Sequence, residues 1–91
     1  MTTNWYVYLL RCADNSLYTG VTIDLNRRVN EHNTSNKLGA KYTRVRRPVE
    51  LAFWETQPDR QKACQREYQL KQLTKPAKEL LVKRHRKNLS T

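Results

Sequence analysis

Tyrosine, arginine, histidine and glutamate side chains occur along this chain at positions that could form one catalytic site. Tyr8 and Tyr18 lie in two short apolar segments, and Arg28 and His32 follow one helical turn apart. Glu67 comes later, between apolar residues. A phenol or an imidazole can move a proton, a guanidinium can bind a phosphate, and a carboxylate can hold a cation. Together these groups could hydrolyse a phosphodiester bond.

The first elements that must position these groups form a predicted β-hairpin. Residues 5–10 are continuously apolar and aromatic, and residues 17–22 are rich in β-formers. Between them, residues 14–16 are a turn signal of the sequence Asp-Asn-Ser. Short segments of this kind, joined by a few polar residues, are typical of two antiparallel strands.

Two pairs of residues share a face in this hairpin, because strand residues two apart point the same way. Tyr6 lies with Tyr8, and Tyr18 lies with Gly20, so we expect Tyr8 and Tyr18 close together if the strands pair in register. Gly20 would let a substrate or a helix approach the sheet closely. The alternatives are ordinary core tyrosines and a β-bulge at the glycine.

The first helix follows the hairpin. Asp24 is its predicted N-cap, and Leu25, Arg28, Val29 and His32 fall at the i, i+3, i+4 and i+7 spacing of one helical face. A charged side chain on an apolar face pairs with another group or lines a cleft. For His32, the alternative is a boundary histidine whose hydrogen bonds are satisfied within the fold.

Three further elements complete a predicted β-β-α-β-α-α order. Residues 49–55 alternate as a third strand, in which Val49, Leu51 and Phe53 share one face. Pro58 and Asp59 open a second helix, and Pro76 opens a third that carries Leu80 and Leu81. The pattern predicts an α+β fold with a small three-stranded, mostly antiparallel sheet flanked by helices.

Glu67 interrupts the apolar side of the second helix. It lies between Ala63 and Leu70 on one helical face. A buried carboxylate is costly unless it is paired or binds a cation. Mg²⁺ often takes one carboxylate together with waters and substrate phosphates, so Glu67 is a candidate metal ligand. The alternative is a structural salt bridge to an arginine.

The composition points to a polyanionic partner. Eighteen Lys and Arg against eight Asp and Glu give a formal charge of +10 over 91 residues, a length that predicts a single domain. We expect a basic C-terminal tail at residues 83–87 that frays. Neither a leader peptide nor a membrane span is evident, and the two cysteines lack disulfide or metal spacing, so a cytoplasmic protein is expected. The basic segment after the first helix could contact a nucleic-acid backbone or be merely solvated. The candidate residues for such contacts are Lys41, Arg44, Arg46 and Arg47.

The ordered motifs resemble the GIY-YIG nuclease superfamily. Tyr6-Val7-Tyr8, then Tyr18-Thr19-Gly20, then Arg28, His32 and Glu67 are similar to its small stand-alone bacterial members. The segment 39–44 is also similar to a stretch typical of those members. The chain departs from the family pattern where Tyr6 replaces a glycine and Thr19 replaces an isoleucine.

The resemblance implies a metal-dependent endonuclease. In it Glu67 would hold Mg²⁺ or Mn²⁺, Arg28 would bind the scissile phosphate, and either Tyr8 or Tyr18 would take a proton from water with help from Arg28, the metal or His32. DNA is favoured over RNA as the partner, no membrane is expected, and the oligomeric state is open. The alternative is a non-catalytic nucleic-acid-binding module on the same fold.

Overall fold

A computed structural model of the chain describes residues 4–89. It confirms the predicted α+β fold and element order and adds one short helix, α2, in the basic segment. Helix α2 has only four residues, too few to show a sequence periodicity, and the pattern therefore did not predict this helix. In chain order the elements are β1 (Trp5–Arg11), β2 (Leu17–Thr22), α1 (Leu25–Thr34), α2 (Lys41–Arg44), β3 (Glu50–Gln57), α3 (Arg60–Lys71) and α4 (Lys75–Leu89).

The three strands form one antiparallel sheet with β1 at its centre, in the order β2-β1-β3. Tyr8, in the middle of β1, lies opposite Gly20 on one side and Trp54 on the other. Because β1 is the central strand, Tyr8 has a paired residue on each side.

Each face of the sheet carries its own apolar cluster. On the Tyr8 face the strands pack with α1 residues, whereas on the opposite face they pack with residues of α3 and α4. The Tyr8 face buries Tyr8, Leu10, Cys12 and Val49, with Leu25 and Val29 against them. The opposite face buries Val7, Leu9, Phe53, Ala63, Leu70 and Val82.

A β-bulge in β3 corrects the predicted alternation of that strand. Leu9 pairs with Phe53, but the next residue, Leu10, pairs with Leu51, so Ala52 is an extra residue on β3. The prediction that Leu51 and Phe53 share a face is therefore wrong. Leu51 packs on the Tyr8 face and Phe53 on the other.

Side-chain caps fix where two helices begin, and the cap at Asp24 was predicted. The Asp24 carboxylate accepts a hydrogen bond from the backbone of Arg27 at 3.1 Å, and Asp59 accepts one from Lys62 at 2.8 Å. Each cap satisfies one amide that the first helical turn leaves free. Because Asp24 starts α1 directly after β2, His32 is placed two turns later, above Tyr8.

Helix α4 includes the basic segment that we expected to fray. Residues 83–87 are helical, and the helix extends to Leu89. Its first half is held to the sheet by Arg11, whose guanidinium donates to both oxygens of Glu79 at 2.5 and 2.6 Å. Inward packing by Val82, which is 7 % exposed, anchors the turn before the basic segment.

Among residues 4–89, no helix combines the length and the apolar character needed to cross a membrane.

Candidate active site

A buried hydrogen bond between Tyr8 and His32 forms the centre of the site. The Tyr8 hydroxyl lies 3.0 Å from His32 Nε2, and the two residues are 2 % and 0 % exposed. Burial raises the pKa of Tyr8 to about 12, although the nearby Arg28 acts in the opposite direction. Burial and the positive charge of Arg28 together lower the pKa of His32 to about 4. At neutral pH the phenol is therefore protonated and the imidazole is uncharged.

Gly20 makes room for the Tyr8 ring. A Cβ atom on Gly20 would overlap the Tyr8 hydroxyl and Cζ. The phenol of the neighbouring strand fills this space, so the expectation that a helix approaches the sheet here is wrong, and the approach of a substrate stays a prediction. The alternative of a bulge is also wrong, since β1 and β2 pair without a register shift at this point.

Tyr18 reaches the same histidine from β2. Its ring lies 5.2 Å from the His32 ring, centroid to centroid, and the Tyr8 ring lies 6.1 Å from it. The two tyrosines are thus close, as predicted, although Tyr18 is paired with Leu10 across the strands. The other neighbour of Tyr18 is Tyr42 of α2, stacked at 5.7 Å. Tyr18 is half-buried, so it lies between the closed hydrogen bond and the surface.

Arg28 brings a positive charge beside this hydrogen bond. Its guanidinium donates to Glu31 at 3.0 Å and to the Leu38 carbonyl at 2.6 Å, and the side chain is 26 % exposed. Arg28 also lowers the pKa of both Tyr8 and His32. The guanidinium is therefore held in place and partly open to solvent, with its charge close enough to act on both Tyr8 and His32.

Glu67 lies on α3 with its side chain 24 % exposed. Its carboxylate is 3.6 Å from the ammonium of Lys71, one turn along the same helix. The ion-pair partner is therefore a lysine, and the alternative of a salt bridge to an arginine is wrong. Burial is the main cause of the raised pKa of Tyr8, and the negative charge of Glu67 is its smallest contributor.

A divalent cation could fit at Glu67 in one specific way. Among the described residues, no group of three or more histidine, cysteine, aspartate or glutamate side chains is clustered as a metal cage. A single partly exposed carboxylate matches the manner in which Mg²⁺ is held by one protein ligand, waters and substrate phosphates. The donor set is thus compatible with a metal that arrives with its substrate.

The predicted basic segment divides into exposed and engaged side chains. Lys41 and Arg44 are exposed on α2. Arg46 pairs with Asp14 at 3.0 Å and lies 3.9 Å over the Tyr42 ring.

Arg47 is the most engaged of the four predicted basic residues. It donates to the backbone carbonyls of His32 and Ser35, at 2.7 and 2.9 Å, and to the side chain of Asn36 at 3.1 Å. This guanidinium therefore closes the C-terminal end of α1, where carbonyl groups lack helical partners.

Sequence reasoning missed Thr43, which contacts the centre of the site. Thr43 is fully buried, and its Oγ1 lies 2.8 Å from His32 Nδ1. The same hydroxyl donates to the Ala40 carbonyl at 3.0 Å. A lone threonine in an irregular basic segment carries no pattern, and the similarity of residues 39–44 to a family stretch was the one available signal.

The chain matches a protein family over most of its length, and several relatives are similar to it. The family described as the GIY-YIG catalytic domain matches residues 4–80. The UPF0213 protein DP2720 of Desulfotalea psychrophila is 52 % identical over 86 residues, covering 94 % of this chain and 77 % of that protein. The UPF0213 protein YazA of Bacillus subtilis is 48 % identical over 85 residues, covering 93 % and 84 %.

A solved structure gives the same result. The solution NMR structure of the UPF0213 protein BH0048 from Bacillus halodurans aligns with a TM-score of 0.55 at 44 % identity, covering 88 % of this chain and 83 % of that one. The family match covers both tyrosine motifs, Arg28, His32 and Glu67. The chain belongs to the GIY-YIG family, among the small UPF0213 proteins.

Proposed function

We propose that this protein is a metal-dependent endonuclease that hydrolyses phosphodiester bonds in DNA. The observation that carries the proposal is the buried Tyr8–His32 hydrogen bond beside the partly exposed guanidinium of Arg28. The attack of water on a phosphodiester requires a proton acceptor, a polarised hydroxyl and a fixed cation. Membership of the GIY-YIG family supports the same reaction class.

The proton of the attacking water would pass through Tyr8, and of the two candidate tyrosines Tyr8 is favoured because its hydroxyl contacts His32. As the water oxygen bonds to phosphorus, the water proton moves to the Tyr8 oxygen and the Tyr8 proton moves to His32 Nε2. The bond from phosphorus to the leaving oxygen breaks, and that oxygen takes a proton from solvent. This relay avoids a free phenolate, which a pKa of about 12 would make costly at neutral pH.

Arg28 would bind the scissile phosphate. Its planar guanidinium can donate two parallel hydrogen bonds to a phosphate, which a point charge cannot do. The existing hydrogen bonds to Glu31 and Leu38 hold the guanidinium in place before substrate arrives. A phosphate at this place would also offset the positive charge that lowers the pKa of His32. Substrate binding would therefore make His32 a better proton acceptor.

Glu67 would hold one Mg²⁺ or Mn²⁺. Such an ion, when bound, polarises the phosphate and neutralises charge on the leaving oxygen. For the carboxylate to bind it, the weak contact with Lys71 at 3.6 Å must be given up, which costs little for an ion pair this exposed.

Lys41 and Arg44 would supply contacts to the nucleic-acid backbone. Both are exposed on α2, which packs against α1 near the Tyr8–His32 pair. Arg46, beside Tyr42, extends this surface. Arg47 would not contact the nucleic acid directly and would act by holding the C-terminal end of α1 in place. Backbone contacts of this kind give salt-sensitive affinity with no dependence on base sequence.

Arg28→Ala, compared with Arg27→Ala, tests the proposal. Both arginines pair with Glu31, at 3.0 and 3.7 Å, but it is Arg28 whose charge acts on Tyr8. Cleavage of labelled DNA and binding to it are measured in parallel. We expect Arg28→Ala to slow cleavage by about 10²-fold or more with little loss of binding, and Arg27→Ala to remain near wild type. Equal losses of cleavage and binding in Arg28→Ala would make Arg28 a docking residue, whereas a wild type that binds DNA without cutting it would favour a binding module.

A further inference from the structure

His32 has two ring nitrogens with different neighbours, and the neighbours of Nδ1 decide which tautomer is present. Thr43 Oγ1 lies 2.8 Å from Nδ1, and the backbone N–H of Ala40 lies 3.5 Å from the same atom. The first contact is a short hydrogen bond and the second is at the outer limit of one. Thr43 therefore has the stronger influence on Nδ1.

The hydroxyl of Thr43 accepts from the ring when its own hydrogen points to the Ala40 carbonyl, a group that can only accept. It donates to the Ala40 carbonyl at 3.0 Å, three residues back along the chain. A lone pair is thus left facing Nδ1, so Nδ1 carries the imidazole proton. In a neutral imidazole, the other nitrogen is then an acceptor. Burial keeps this imidazole neutral at pH 7 by lowering its pKa to about 4.

We infer that Thr43 is a positioning residue that holds His32 as the Nδ1–H tautomer, leaving the Nε2 lone pair to accept the proton of Tyr8. The resulting hydrogen-bond chain runs from the Tyr8 hydroxyl to Nε2, and from Nδ1–H through Thr43 to the Ala40 carbonyl. After proton transfer both ring nitrogens carry hydrogen, and Nδ1–H keeps its partner, so the imidazolium forms without loss of a hydrogen bond. This role rests on the proposed nuclease function.

Removing the hydroxyl should reverse the tautomer. In Thr43→Val the shape is retained, but Nδ1–H loses its acceptor and the backbone N–H of Ala40 is left facing that nitrogen. Nδ1 then becomes the better acceptor, and Nε2–H points at the Tyr8 oxygen. In that arrangement Tyr8 cannot pass its proton to His32.

Nitrogen-15 NMR of the histidine rings tests this directly, with His85→Gln used to assign the signals of the two histidines. We expect Nδ1–H in the wild type and in Thr43→Ser, and Nε2–H in Thr43→Val. Cleavage should fall by about 10²–10⁴-fold in Thr43→Val, the usual contribution of a positioned base, and by only a few-fold in Thr43→Ser. The acidic limb of the pH–rate profile, which reports His32, should disappear in Thr43→Val.

Several outcomes would overturn the inference. Nε2–H in the wild-type protein would do so even if no variant folded. Unchanged cleavage, or an unchanged tautomer, in a folded Thr43→Val protein would do so as well. The tautomer is read on the protein without substrate, so a wild type that cuts no nucleic acid would contradict the nuclease proposal separately from the assignment of Nδ1–H.

Discussion

Gly20→Ala should destabilise the protein, although alanine normally suits a strand better than glycine. In the interior of a strand, glycine costs about 0.5–1 kcal/mol relative to alanine. Here the added Cβ would overlap the Tyr8 hydroxyl and Cζ, and that ring is 2 % exposed and bonded to His32. Because the ring is buried and bonded to His32, turning it away from the new Cβ would break that hydrogen bond, so the clash opposes the usual gain.

The two terms differ enough to fix the sign. Overpacking a filled core costs about 1–3 kcal/mol, and an overlap with two atoms of a buried ring belongs in the upper part of that range. Subtracting the strand preference leaves a net loss of about 1–2 kcal/mol in the free energy of unfolding. For a domain of this size, that corresponds to a fall in Tm of about 4–16 °C.

Thermal unfolding followed by circular dichroism measures this loss, and the Tyr8→Leu background provides the matched control. Leucine lacks the hydroxyl and Cζ that the new Cβ would meet, so Gly20→Ala should be neutral or stabilising there. A higher Tm for Gly20→Ala in the wild-type background would refute the reasoning. An equal loss in both backgrounds would show that the contact with Tyr8 is not its cause.

Two further results concern stability, and a third is the test of Arg28 already described. Because burial holds the pKa of His32 near 4, below its ordinary value of 6.5, the unfolded chain binds the proton first, and stability should fall by up to about 3 kcal/mol as pH drops from 6.5 to 4. Urea titrations across that range, repeated with His32→Gln, should show a flatter profile in the variant. Hydrogen bonding to Arg11 lowers the pKa of Glu79 to about 2 from 4.5, so its contribution is present above pH 4.5 and lost as pH falls towards 2. Glu79→Gln should therefore weaken the protein at pH 6 and reduce its acid sensitivity between pH 4.5 and 2. Arg28→Ala should lose cleavage while keeping affinity, as measured against Arg27→Ala.

Local patterns predicted most of the fold. The hairpin, the Asp24 cap and the inward face of α1 all depend on residues close in sequence, so periodicity and capping rules were sufficient. The bulge at Ala52 depends on how β3 pairs with β1. No feature of the strand's own alternation encodes it.

The candidate site was predictable in its residue types but not in its connections. Tyr8, His32 and Arg28 were found because their spacing matches a known motif order. That the Gly20 position serves the Tyr8 ring could not be predicted, since it requires the register between strands. Thr43 was missed for a similar reason: its contact with His32 spans 11 residues through a segment without periodicity. Long-range hydrogen bonds of this kind become visible only when the chain is folded.

Cleavage by the wild type and by Glu67→Gln, each with Mg²⁺, Mn²⁺ or EDTA, tests the central claim most directly. Lys71→Gln is the matched control, because it removes the same ion pair and leaves the carboxylate in place. Labelled single-stranded, duplex and branched DNA and RNA are the substrates. We predict metal-dependent cutting by the wild type and by Lys71→Gln, and binding without cutting by Glu67→Gln. Cutting that survives in Glu67→Gln or in EDTA would contradict the account, and salt-sensitive binding without cutting by any of the three proteins would replace the nuclease with a binding module.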